Sequence, residues 1–143
     1  MSVFRRLIAA TRSALATAAC ALVVLGFVSG CARFGKKQRE AAYQAALTSY
    51  SRALTTGMLR KDVEAYLKAR GTPFLQMCCM GASHNALDDL IKIGEEESPW
   101  YCSEHNVYVG LEFVSRGGHQ FPEAHDADAL QTVRIHHWLG GCL

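Results

Sequence analysis

The sequence predicts an α+β fold: two N-terminal helices packed on one face of a four-stranded antiparallel meander sheet. Three observations carry this prediction. Residues 36–70 hold apolar side chains at helical spacing, with charged residues between them. From Phe74 to Leu139 the period changes to two, in four separate runs. Short turn compositions join those runs, with no helical segment between them, so neighbouring strands run antiparallel. Helices in one block and strands in the next make the fold α+β.

The N-terminus is a different kind of segment. Arg5, Arg6 and Arg12 precede a stretch from Ser13 to Gly30 without a single charge, rich in Ala, Leu and Val. Cations followed by an apolar segment and then small residues make the three-part layout of a secretory signal. At 16–18 residues the apolar part is short for a membrane span, which takes about 20. The tetrapeptide Val28-Ser29-Gly30-Cys31 resembles the lipobox of bacterial lipoproteins: an aliphatic residue, two small residues, then an obligatory Cys. The resemblance implies cleavage before Cys31, a diacylglycerol on its thiol and acylation, commonly palmitate, of the new amine. It thereby implies a membrane partner reached through lipidated Cys31. Two or three acyl chains anchor stably where one does not. Ala32, in place of Asp after the Cys, implies the periplasmic face of the outer membrane. The predicted organisation is a signal peptide over 1–30, a lipid-anchored tether and first helix over 31–51, and the α+β domain over 52–143.

Removing 30 residues leaves 113, and three fewer arginines take the formal charge from +2 to −1. A domain of that size buries roughly two-thirds of its unfolded surface. A near-neutral domain has no electrostatic footprint for nucleic acid.

The first helix is read over Lys36–Ser51, where Tyr43, Leu47 and Tyr50 fall at helical spacing. The cluster Lys36, Lys37 and Arg39 reads as a solvated stretch near the membrane in preference to a headgroup-binding patch. The second helix is read over Arg60–Arg70, with Leu59, Val63 and Leu67 on one face and Tyr66 beside them. Glu64 stands four residues before Lys68, a favourable order. Gly71 sits where a C-terminal cap belongs, and Thr72, before Pro73, is biased to extended backbone.

The strands are read at Phe74–Cys79, Asp89–Ile93, Val107–Ser115 and Thr132–Leu139. In the second, Ile91 and Ile93 share a face. In the third, Val107, Val109, Leu111 and Phe113 oppose Tyr108 and Glu112. In the fourth, Val133, Ile135, His137 and Leu139 oppose Arg134, His136 and Trp138. Trp100-Tyr101, after Pro99, reads as a loop packed onto the core in preference to a ligand platform.

The run Leu54–Leu67, with Gly57, Met58, Val63 and Leu67, and its exit Gly71-Thr72-Pro73, resembles the start of the SmpA/OmlA-type small envelope lipoproteins. It is also similar to the repeat of β-lactamase-inhibitor-like domains. The match spans about twenty residues. It departs at Leu59, where those families carry a capping hydroxyl, and in the extra residues between Leu67 and Gly71. The resemblance implies a binding or assembly module with an envelope protein partner, and it transfers no catalytic residue.

Of six cysteines, Cys20 leaves with the signal and Cys31 carries lipid, so Cys78, Cys79, Cys102 and Cys142 remain. In an oxidising compartment four cysteines read first as two disulfides. In a meander the third strand begins where the fourth ends. Cys102 and Cys142 then share one end of the sheet and are the expected pair, while Cys78 and Cys79 close the first strand at the other end. Those two are left to each other or free. The rival is a metal or small-ligand sensor built on Cys102, His105, His137 and Cys142, the Cys-x-x-His spacing of Cys102–His105 being its nucleus. Adjacent His136 and His137 point to opposite faces, and no Cys-x-x-Cys exists, so neither a metal nor another cofactor is expected. The acid–His neighbours Glu104-His105 and His125-Asp126 come with no nucleophile motif, so no enzyme is expected.

Overall fold

A computed structural model describes residues 35–78, 85–117 and 123–143. The predicted signal segment, Cys31 and Cys79 lie outside them. The chain divides into two units, 1–41 and 42–143. Of the first, only residues 35–41 are described, and they are helical. The second holds everything discussed below. Among the described residues no helix is long and apolar enough to cross a membrane.

Two helices precede a four-stranded antiparallel sheet. Helix α1 covers residues 35–53 and α2 Arg60–Ala69. The strands are β1 (Leu75–Cys78), β2 (Leu87–Glu95), β3 (Glu104–Val114) and β4 (Ala129–Gly140). Their spatial order is β1-β2-β3-β4, every neighbouring pair antiparallel, so the predicted meander is the observed topology. β2, β3 and β4 all start earlier than alternation alone suggests, because polar residues such as Asp88 and Glu104 are paired in the ladder.

The face assignment of β3 holds: Val107, Val109, Leu111 and Phe113 are buried. Val109, Leu111 and Phe113 form one core cluster with Ile91, Leu130, Leu54, Val63 and Leu67, against which Ala46, Tyr50 and Ala53 also pack. The opposite face is buried too, at Leu90, Tyr108, Asn106 and Glu112. In β2 the register slips between Lys92 and Gly94, and Ile93, the extra residue there, still packs against the core cluster that holds Ile91. Such a bulge bends the strand. Tyr43 of α1 fills the space beside Gly94, where a Cβ would sit 2.6 Å from its ring, and the Tyr43 hydroxyl donates to Glu95 O at 3.2 Å.

Helix α2 ends as predicted. Gly71 adopts φ +63°, Thr72 N–H reaches Leu67 O at 3.0 Å and Gly71 N–H reaches Lys68 O at 3.0 Å, the two bonds of a Schellman cap. Lys68 pairs with Glu64 at 2.9 Å. The helix start is less conventional. Leu59 offers no side-chain cap. Instead the carbonyls of Asp128 and Asp126 accept from the Arg60 and Lys61 amides at 2.8 and 3.4 Å, and Leu59 bridges Ala129. Backbone from the segment before β4 therefore does the work of the missing hydroxyl.

The side chain at that helix start is a buried charge tied to several partners. Arg60 is 1% exposed. Its Nη1 donates to Asp89 Oδ1 at 2.6 Å and its Nε to Asp128 Oδ2 at 3.3 Å. A further guanidinium nitrogen donates to Leu87 O, and the guanidinium carbon lies 3.8 Å from the Phe113 ring centroid. Asp89 and Asp128 are equally buried. Burial pushes the Asp89 carboxyl up from 3.8 to about 6, with the Arg60 charge and the Gln76 amide pulling the other way.

Removing one member of such a cluster leaves buried charge uncompensated, which costs about 3–5 kcal/mol. Arg60→Leu should therefore lower the free energy of urea unfolding at pH 7.5 by that amount, and a loss under about 1 kcal/mol, no more than an exposed ion pair contributes, would deny the cluster its role. The raised Asp89 pKa fixes a sign as well. The folded state holds this proton more tightly than the unfolded chain, so the stability it contributes is complete below about pH 3.8 and lost as pH rises through about 6. Measured between pH 4 and 7, the stability of the wild type relative to Asp89→Asn should fall by on the order of 2–3 kcal/mol; a difference that stays flat or rises contradicts it.

Candidate functional site

The end of the sheet where β3 begins and β4 finishes gathers the chemistry-bearing side chains. Glu104 pairs with Gly140 at the last rung. Gly141 turns the chain at φ +59°, with the Ser103 side chain occupying the space a Cβ would need. Ser103 N–H donates to Gly140 O at 3.1 Å and Leu143 N–H to Tyr101 O at 2.9 Å. This places Cys102 against Cys142, and the two are joined in a disulfide with Cα atoms 4.0 Å apart. The pairing read from the meander is the one observed. Cys78 is also disulfide-bonded.

Bonded to each other, Cys102 and Cys142 are not thiolates, so the four-ligand set Cys102, His105, His137 and Cys142 does not form. Two of its members nevertheless converge on a third partner. His137 stands opposite Val107 and His105 opposite Leu139, which makes the two imidazoles diagonal neighbours on one face. Their ring centroids are 5.6 Å apart. Beyond the bulge in β2, Glu96 N–H donates to His105 O at 2.8 Å, and the Glu96 carboxylate turns in between the rings. Glu96 Oε2 lies 3.8 Å from His105 Nε2 and 3.8 Å from His137 Nδ1. His105 Nδ1–H donates to Glu97 O at 3.3 Å, which directs Nε2 inward. The three side chains offer ligand atoms all within 4.8 Å of one another. Glu96 and His105 are half-buried and His137 is exposed.

His136 points the other way, as adjacency in a strand requires. Its Nε2 lies 3.0 Å from Glu112 Oε1, and its ring lies over Gly110, which has no Cβ to obstruct it. Arg134 Nε donates to the same oxygen at 2.8 Å. Glu112 Oε2 is buried and unpaired. Glu104 and His105, neighbours in sequence, part company: Glu104 accepts from Asn106 Nδ2 at 2.9 Å. His125 Nε2 lies 3.3 Å from Glu123. Trp100 corrects the expectation of a loop packed onto the core. It is 90% exposed and meets Tyr101 edge to face, centroids 5.7 Å apart.

Sequence reasoning singled out His105 and His137 and missed Glu96, whose position depends on a bulge that hydropathy does not announce. Arg60 was missed because a cation at the start of a helix looks like surface.

The Cys102–Cys142 bond closes a loop of 40 residues, and its removal by Cys142→Ala should cost about 3–4 kcal/mol in thermal or urea unfolding. Non-reducing peptide mapping should recover a Cys102–Cys142 peptide pair; either cysteine linked to Cys78 or Cys79 contradicts the sheet order. Comparison of the chain with protein-family models, with curated proteins and with solved structures finds no match.

Proposed function

We propose that this chain is a lipid-anchored binding or assembly module of a bacterial cell envelope, without catalytic machinery. The observation that carries the reading is Val28-Ser29-Gly30-Cys31, placed directly behind a charge-free apolar segment and three arginines. Residues 1–30 serve as the signal, Cys31 receives the lipid, and Ala32 directs the protein to the periplasmic face of the outer membrane. The two helices cover one face of the sheet, in the manner of the SmpA/OmlA-type lipoproteins. Two features support the binding role. The oxidised Cys102–Cys142 pair suits an extracytoplasmic compartment. Trp100 and Tyr101, exposed beside it, are residue types that anchor protein interfaces, which supports a protein partner in the envelope. A second reading, a lipoprotein that senses an ion or small ligand, is favoured by the convergence of Glu96, His105 and His137.

Cys31→Ala should leave an unlipidated, uncleaved precursor, because that thiol is the atom that accepts the lipid. Mature-sized protein in the membrane pellet of this variant would refute the anchor. Affinity capture of the wild type from detergent-solubilised membranes should retain one envelope protein in stoichiometric amount, and Trp100→Ala should weaken that retention. Isolated protein alone would count against the assembly role.

A further inference from the structure

We propose that Glu96 Oε2, His105 Nε2 and His137 Nδ1 form a three-ligand site for a divalent first-row transition metal, zinc foremost, with its remaining position open to solvent. The distances argue for an ion. At 3.8 Å from either ring nitrogen, Glu96 Oε2 is too far for a hydrogen bond. Donors around a tetrahedral zinc, at bonds of about 2.1 Å, stand about 3.4 Å apart. The two Glu96 spacings are thus slightly expanded from a coordination shell, the two ring nitrogens lie within 4.8 Å of each other, and His137 is exposed near the end of β4.

The donor chemistry agrees. Two imidazoles and one carboxylate suit zinc and its neighbours and do not suit calcium or magnesium, which take oxygen ligands. The orienting contact that a metal-bound histidine needs is in place: His105 gives its Nδ1 proton to the Glu97 carbonyl at 3.3 Å, which leaves the Nε2 lone pair for the ion. Each ligand comes from a separate piece of chain. Glu96 follows β2, His105 opens β3 and His137 lies in β4, so a bound ion would tie together the sheet end that the disulfide already closes. Three protein ligands with an open position mark a site able to bind an external donor, such as a carboxylate or imidazole of a partner or a small anion.

The assignment rests on the ligand-binding reading of this sheet end and not on the lipid anchor. Zinc held by a chain that is never lipidated would support the site and refute the anchor.

The test uses the full chain in detergent, disulfides intact and free thiols alkylated, titrated with zinc chloride at pH 7.5 by calorimetry. The expected result is about one equivalent bound at micromolar or lower Kd, and at least a tenfold loss of affinity in both His137→Ala and Glu96→Gln. His136→Gln, on the opposite face, should bind as the wild type does. Ring resonances of His105 and His137, followed by NMR in the unmutated protein, should shift on zinc addition while those of His136 stay in place, which keeps the test independent of how the variants fold. No binding below about 1 mM, equal binding by wild type, His137→Ala and Glu96→Gln, or zinc shifts at His136 in place of His137, would overturn the assignment.

Discussion

One buried cation, Arg60, holds the parts of this domain in register. Its guanidinium meets the carboxylate of Asp89 on β2 and that of Asp128 ahead of β4, and rests on the Phe113 ring of β3. Four segments separated by up to 68 residues are thereby fixed to one planar group. An arginine is suited to this because its donors fan out in a plane and its charge is weakly hydrated. The arrangement is costly to leave incomplete, since a carboxylate buried without its cation is far worse than an apolar side chain of the same size. The cluster therefore specifies which ends of which strands meet the start of α2. At Asp89 burial outweighs the neighbouring cation and raises the carboxyl to about 6, so this member of the cluster loses stability as the pH rises.

The sheet end that carries the histidines follows from the same geometry. Because Asp128 caps α2 through its carbonyl and pairs with the Arg60 guanidinium through its side chain, the start of β4 is fixed at one end of the sheet. The antiparallel path of β4 then delivers His137 and Cys142 to the other end, beside the start of β3 and the bulged exit of β2. Cys102–Cys142 and the Glu96–His105–His137 group are consequences of one register. A slip by a single residue in β4 would send His137 to the face of His136 and separate it from Glu96.

Much of this is legible in the amino-acid sequence. The alternating apolar residues of β3 state their own face, because only a half-buried strand needs that period. Gly71 announces the end of α2 because a left-handed residue is required there. The Cys102–Cys142 bond follows from a meander with both residues just outside adjoining strands. What stayed hidden depends on long-range partners or broken periodicity. Arg60 reads as a surface cation until Asp89 and Asp128 are brought to it. The strand read from Asp89 leaves out Asp88 and assigns Asp89 no partner, although Asp88 accepts the Phe113 amide and Asp89 faces the core. Glu96 enters the histidine group only through the register shift near Gly94, and nothing in the sequence marks Trp100 as exposed.

A double-mutant cycle on Arg60 and Asp89 puts the organising role of the buried cation to the most direct test. Arg60→Met, Asp89→Asn and the combined variant would be unfolded in urea at pH 7.5 alongside the wild type. The account predicts that the double variant loses less than the sum of the single losses by about 2–3 kcal/mol, the range for residues sharing one buried network. Losses that add to within about 0.5 kcal/mol would show that the two side chains are stabilised independently, and Arg60 would not be the group on which the fold depends.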